Sequence, residues 1–273
     1  MVRSIFKPLL LVLFAWYSCA QSGLASEQNK KSEQLERIYA YSQIENVFAW
    51  VREQVRQDVA EQRLHCTDSQ QLTLNENLLD TFSAPNTLQS AFITEIDKRL
   101  NASETSMLDD WIKTTTAKVV AAAEAAPQIA EQEYNEQLNR YLESPLLTKE
   151  RKLLSSQIVK ESGAVYFYSA LSTGIDAVIT MASVCDNQPR TIQAAQKRID
   201  EERGAEALYR SFLHTDMFRE ATFTYRNVEM KELKNYLDFI EADAGRAYHA
   251  AMIQGLRTVL AAQVDDLKQQ LGP

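Results

Sequence analysis

The sequence predicts an all-α fold, and three observations carry that prediction. Glycine and proline are scarce, at 7 and 6 residues in 273, where average usage of about 7% and 5% would supply more than twice as many. No glycine occurs from Leu24 to Ser162, which leaves hairpins, sandwiches and doubly wound folds without the residues their φ > 0 turns need. Apolar residues recur at spacings of three and four through most of the chain, the period of one helix face. Eleven Tyr, ten Phe and three Trp give enough apolar surface for a core and argue against disorder. The expected architecture is a multi-helix bundle of eight to ten helices. It follows a leader over residues 1–20 and comprises two related halves, 21–145 and 146–273.

The leader reads as a secretory signal peptide. Arg3 and Lys7 precede the apolar run Leu9 to Trp16, and the small residues of Ser18-Cys19-Ala20 follow. That run is too short for a span, which needs about 20 apolar residues. Cleavage after Ala20 fits best, with Ala25 the alternative. Cys19 raises a minor lipoprotein reading, against which Trp16 and Tyr17 stand where such signals carry Leu and a small residue. Loss of residues 1–20 removes two basic residues and no acid, which takes the formal charge from −8 to −10. So acidic a chain is a poor partner for nucleic acid or anionic membrane. The expected location is therefore exported and periplasmic. In an oxidising compartment the remaining cysteines, Cys66 and Cys185, are expected to pair, the alternative being two separate buried thiols.

The mature chain opens on a stripe through Leu35, Ile38, Tyr41, Ile44, Phe48, Val51, Val55 and Val59, one face of a long helix. It stops near Cys66-Thr67-Asp68-Ser69. A short helix spans Leu72 to Phe82. Thr87 caps the next, with Leu88, Phe92, Ile96 and Leu100 inward. Ser103 caps another, with Met107, Leu108, Trp111, Ile112 and Val119 inward. Pro127 and Ser144-Pro145 mark boundaries, and Thr148 begins a pattern that Gly163 kinks. Residues 164–184 carry one charge, Asp176. A helix apolar all round is either central to a bundle or a membrane segment. The mid-segment carboxylate favours the bundle, because it is costly in lipid. A charged helix from Thr191 to about Arg203 precedes two or three more, ending near Leu271.

A faint repeat runs through this plan. Asp110-Trp111-Ile112-Lys113, then Thr116-Ala117-Lys118, parallels Asp238-Phe239-Ile240-Glu241, then Ala244-Gly245-Arg246. Cys66 and Cys185 each close the first long helix of their half. The parallel makes Gly245 a close helix contact or bend, since Ala117 is its small counterpart.

Glu232-Leu233, Phe239 and Gly245-Arg246, followed by a long Ala-rich helix, resemble an exported bacterial family known only as a domain of unknown function. That family's pattern is an aromatic pair, Ser-Pro, one residue, Gly and a basic residue between two helices. Here Ile240 replaces the second aromatic and Ala242-Asp243 stands at Ser-Pro. The resemblance covers residues 228–268 and implies an exported, all-helical protein without adding a mechanism.

Familiar catalytic constellations do not occur. His65, His214 and His249 are preceded at three residues by Gln62, Ser211 and Arg246, so the Glu-x-x-His pairs of di-metal bundles are missing. There is no Cys-x-x-Cys, His-Glu-x-x-His or Gly-x-Ser-x-Gly. No metal site, catalytic residue or cofactor is expected. Asp176, on its apolar helix, is a candidate for a raised pKa, against a buried Asp bonded to a neighbouring Tyr or Arg or simply the solvent-facing edge of the helix. Tyr166 and Tyr168, with Phe167, Trp50 and Trp111, are candidates to line a pocket, although aromatics at helical spacing usually form core. Gly245 and Arg246 are read as structural. The expected function is non-catalytic: a periplasmic binding or structural protein for an unidentified protein or a small apolar ligand. The alternative inserts residues 164–184 into a membrane, and an enzyme with an unrecognised site ranks third.

Overall fold

A computed structural model describes residues 27–63, 85–125, 131–186 and 188–271. The leader, Cys66 and the short helix expected over Leu72 to Phe82 lie outside these residues. Among the described residues every regular element is a helix: α1 Glu27–Ser42, α2 Ile44–Arg63, α3 Pro85–Arg99, α4 Ala102–Trp111, α5 Thr115–Glu124, α6 Glu131–Leu142, α7 Lys149–Glu161, α8 Ala164–Ala182, α9 Pro189–Gly204, α10 Glu206–Thr224, α11 Met230–Glu241 and α12 Asp243–Gln270. The all-α class stands, but eight to ten was an undercount against these twelve.

Two unsignalled breaks explain much of the difference. The first long stripe is interrupted at Gln43, which takes a left-handed φ of 54°. A side chain with a Cβ pays for that conformation, and here the Gln43 amide donates to the Ala121 carbonyl at 3.1 Å. The helix expected from Ser103 to Val119 divides at Ile112–Thr114. Its cap is Asn101, not Ser103. Asn101 accepts from the Glu104 N–H while Glu104 accepts from the Asn101 N–H, both at 2.9 Å, a reciprocal box that satisfies two orphan donors. Thr114 then caps α5 through the Ala117 N–H at 3.1 Å.

The chain forms two compact units, and each draws segments from both sequence halves. Among the described residues, one comprises 27–47, 96–125, 131–164 and 215–251. In it α1 packs on α4, and α11 packs on α7 and α5. Asp109, 3% exposed, ties α1 to α4: Arg37 donates to both its oxygens, at 2.7 and 3.1 Å, and Lys113 Nζ approaches at 2.7 Å. Val120, Leu154, Ile158, Leu233, Leu237 and Ile240 form the apolar centre.

Among the described residues, the other unit comprises 48–63, 85–95, 165–186, 188–214 and 252–271. Phe48 meets Phe92 edge-on at 5.6 Å. Gly174 of α8 lies so close to Leu260 of α12 that a Cβ would require the Leu260 side chain to move. Twelve of the nineteen α8 residues are buried, while Asp176 is exposed.

Several local features recur at fixed intervals. Gln43 and Gly163, the described residues with positive φ, follow α1 and α7 and are 120 positions apart. Their N–H groups donate to Ala40 and Lys160, also 120 apart. Gln34, Leu35, Ile38 and Tyr39 are buried, as are their counterparts Leu154, Ser155, Ile158 and Val159. At an interval of 128, Thr114 (φ −68°, ψ 157°) and Ala242 (φ −72°, ψ 158°) open α5 and α12 in the same conformation. Lys31 pairs with Asp97 at 2.5 Å. At the corresponding positions, Arg151 donates to the Tyr225 carbonyl at 2.7 Å.

Candidate functional site

The most unusual side-chain constellation lies in the first unit around Glu124, the last residue of α5. A carboxylate at a helix C-terminus meets the negative end of the dipole, and the preceding turn, Val120 to Ala123, is apolar. The acid is held from elsewhere. The Tyr225 hydroxyl donates to Glu124 Oε1 at 2.6 Å. Tyr225 is itself fixed in the turn after α10, where Arg151 of α7 donates to the carbonyls of Tyr225 and Val228 at 2.7 and 2.9 Å. One guanidinium thus anchors the loop that presents the phenol.

Aromatic rings continue outward from this pair. Tyr225 meets Tyr236 edge-on at 6.0 Å, and Tyr236 lies nearly parallel to Trp111 at 6.5 Å. Trp111 stacks on Phe239 at 4.1 Å. The Tyr41 hydroxyl lies beside the Trp111 indole. Burial raises the Glu124 carboxyl above its ordinary range, and the Tyr225 hydrogen bond opposes that rise. Burial and the Glu124 charge raise the Tyr41, Tyr225, Tyr236 and Tyr248 phenols in turn. They remain neutral donors near pH 7. Among the described residues no cation acts on Glu124, and no His, Cys, Asp and Glu group has metal-binding geometry.

The anticipated candidates are distributed differently. Tyr166 is 52% exposed and carries the Arg210 guanidinium 5.0 Å from its ring centre. Tyr168 is half-buried with its ring edge against Phe167 at 5.8 Å. Asp176 sits ten residues beyond Tyr166, about 15 Å along the helix axis, and the structure shows no contact joining them. Its carboxyl is pushed up to about 6, first by desolvation, then by the charges of Glu202 and Asp58, with Arg198 opposing. Glu206 gathers more contacts. It accepts from Ser169 at 3.1 Å and Arg210 at 3.0 Å, and it also pairs with Arg257.

Gly245 is buried against the end of α11. A Cβ there would run into the Phe239 carbonyl oxygen and come within 2.8 Å of its carbon and 3.0 Å of Ile240 Cα. Arg246 donates to the Glu241 carbonyl and pairs with Asp243 at 2.6 Å, closing the turn between α11 and α12. His214 is exposed. His249 is desolvated, its pKa lowered to about 4, and its Nε2 lacks a partner. His65 lies outside the described residues. Cys185, half-buried just past α8, is not a free thiol, and Cys66 lies outside the described residues.

Sequence reading missed Glu124 and its tyrosines. The available signal was a single acid in the run Val119 to Ala126, which reads on its own as one solvated position. Comparison adds no neighbour from which to carry a role: no protein-family model, curated protein or solved structure matches this chain.

Proposed function

We propose that this is an exported, non-catalytic binding protein of the periplasm. The Glu124 centre carries the reading. It offers a carboxyl, a phenol and a wall of rings, while phenols held far above their ordinary range supply no base at neutral pH. These groups recognise and orient a ligand, and they lack a partner that would move electrons or protons along a reaction. The leader over residues 1–20 and a Cys66–Cys185 disulfide belong to the same proposal.

Native mass spectrometry of the protein released from the cell envelope tests it. The expected species begins at Gln21, carries one disulfide and retains a non-covalent ligand or partner. A chain that keeps residues 1–20, or one bare of any ligand or partner, overturns the proposal.

One observation favours a second reading, membrane association through α8. That helix is long and apolar enough to cross a bilayer by length and composition, with a mean hydropathy of 1.2. Its mostly buried surface speaks for a bundle core. Retention in the pellet after carbonate washing would favour the membrane.

We also propose that the halves are related by duplication. The paired left-handed breaks, the matching cap conformations and the shared burial pattern support it. Departures from that symmetry then mark specialisation. Leu108, Val120 and Asp97 of the first half correspond to Tyr236, Tyr248 and Tyr225 of the second, and these tyrosines surround or influence Glu124.

A further inference from the structure

We propose that Glu124 and the aromatic wall beside it bind the ammonium group of a small organic cation. The inference rests on the binding reading above and names its ligand class. Four features carry it.

First, the carboxyl has only half of its hydrogen-bonding capacity occupied within the protein. Tyr225 holds Oε1 at 2.6 Å, while among the described residues no partner is found for Oε2, which is also not a fully buried orphan. Second, the carboxyl has no cationic partner: among the described residues no Lys or Arg acts on Glu124, Tyr236 or Tyr248, and Arg151 is engaged with the Tyr225 and Val228 carbonyls. A desolvated carboxylate needs a counter-charge or a proton, and a ligand cation supplies the former. Third, the flanking surface is aromatic, and the negative faces of Trp and Tyr rings attract cations within about 6 Å. Trp111 and Phe239 are only half-buried, so this wall reaches solvent. Fourth, the tyrosines sit where the corresponding positions of the first half hold Leu108, Val120 and Asp97. Tyr225, Tyr236 and Tyr248 are therefore particular to the second half, while Tyr41 and Trp111 come from the first.

Binding in this way favours the ionised carboxylate. The ligand displaces the proton that burial favours, so affinity rises with pH as the carboxyl ionises and protons are released on binding.

The test titrates the mature protein with choline and with 3,3-dimethylbutan-1-ol, its uncharged isostere, following tryptophan fluorescence and calorimetry. Choline is expected to bind roughly tenfold or more tightly than the alcohol, and Glu124→Gln to abolish that preference. Should Glu124→Gln fail to fold, the wild-type titration still decides. Calorimetry at decreasing pH should show affinity falling as the carboxyl takes up its proton. Equal affinity for the alcohol or unchanged choline binding in Glu124→Gln overturns the assignment. If choline fails while native mass spectrometry finds a different retained ligand, the ammonium class falls and the binding reading stands. If both fail, both fall.

Discussion

Trp111 and Phe239 stack face to face, with 4.1 Å between ring centres and 2° between planes. They are 128 positions apart and occupy equivalent places at the ends of α4 and α11. Each helix is followed by a turn and a second helix that starts from an extended residue, Thr114 or Ala242. The stack also borders the Glu124 centre through Tyr236.

The stack should be measurable as a coupling. Trp111→Ala and Phe239→Ala are each expected to cost about 2–4 kcal/mol, at the lower side for half-buried rings. The double variant should cost less than the two together by about 0.5–1.5 kcal/mol, the contribution of an aromatic pair beyond its buried area. Urea denaturation of the four proteins closes the cycle. Strict additivity would show that the rings are neighbours without mutual stabilisation.

A pair of glycine variants distinguishes crowding from helix propensity. Gly245→Ala places a methyl against the Phe239 carbonyl and should destabilise by about 1–3 kcal/mol, with Gly245→Leu at least as severe. Nothing lies within 4 Å of a Cβ at Gly204, so Gly204→Ala should stabilise by about 0.4–1 kcal/mol. Thermal melts read both signs. A neutral Gly245→Ala would mean that α11 and α12 separate easily.

These cases show how far the sequence could be read. The stripe from Leu35 to Val59 was legible because burial follows helical period: Leu35, Ile38, Ile44, Phe48, Val51, Val55 and Val59 are all buried. The crowding at Gly245 was legible because a helix tolerates glycine only for a reason. The break at Gln43 was not, since nothing about glutamine announces a left-handed residue and the stabilising Ala121 carbonyl lies 78 positions away. Glu124 was illegible for the same reason. Its tyrosines come from Tyr41 and from positions 225 to 248, so only tertiary structure assembles them. A raised pKa at Asp176 was one reading beside a buried contact or a solvent-facing edge; Asp176 is exposed, and its carboxyl is pushed up first by desolvation and then by Glu202 and Asp58, which lie on other helices.

Asp176 should make the protein more stable in mild acid. Its folded pKa of about 6 lies above the ordinary 3.8. The folded state therefore holds a proton that the unfolded chain has released, and stability rises as pH falls through 6 towards 3.8. Asp176→Asn should be more stable than wild type at pH 7.5, and the difference should shrink by pH 5. Because Asp176 is exposed, water and salt weaken the effect, and melts at low ionic strength show it best. A difference between the variants that does not change with pH would place the origin in packing.

His249 acts with the opposite sign over nearly the same range. Desolvation lowers its folded pKa to about 4 from the ordinary 6.5. The folded state resists a proton that the unfolded chain accepts, and stability present above 6.5 is lost as pH falls towards 4. His249→Leu removes both this loss and the unpartnered Nε2. The variant should match or exceed wild type at pH 7 and gain on it at pH 5. Melts of the two single variants and the double variant at both pH values separate the contributions. A His249→Leu protein that tracks wild type down to pH 4 would indicate that the imidazole accepts its proton freely.

The cysteines join export to the membrane question. If the mature chain is wholly exported, Cys66 and Cys185 share an oxidising compartment and pair. The bond links the region after α2 to the end of α8 and closes a loop of about 120 residues, worth roughly 4–5 kcal/mol as a loop-entropy ceiling. If α8 instead crossed a bilayer, Cys185 would emerge on the far side from the N-terminal segment, and thiols in different compartments cannot meet. Alkylation of protein taken from its native compartment, followed by a non-reducing gel, decides between them. The expected result is one intramolecular bridge, faster migration than the reduced chain and no thiol open to alkylation. Two alkylated cysteines would remove the disulfide and return α8 to the membrane reading. Reduction of the bridged form should then lower the urea midpoint, since the constraint acts on the unfolded chain.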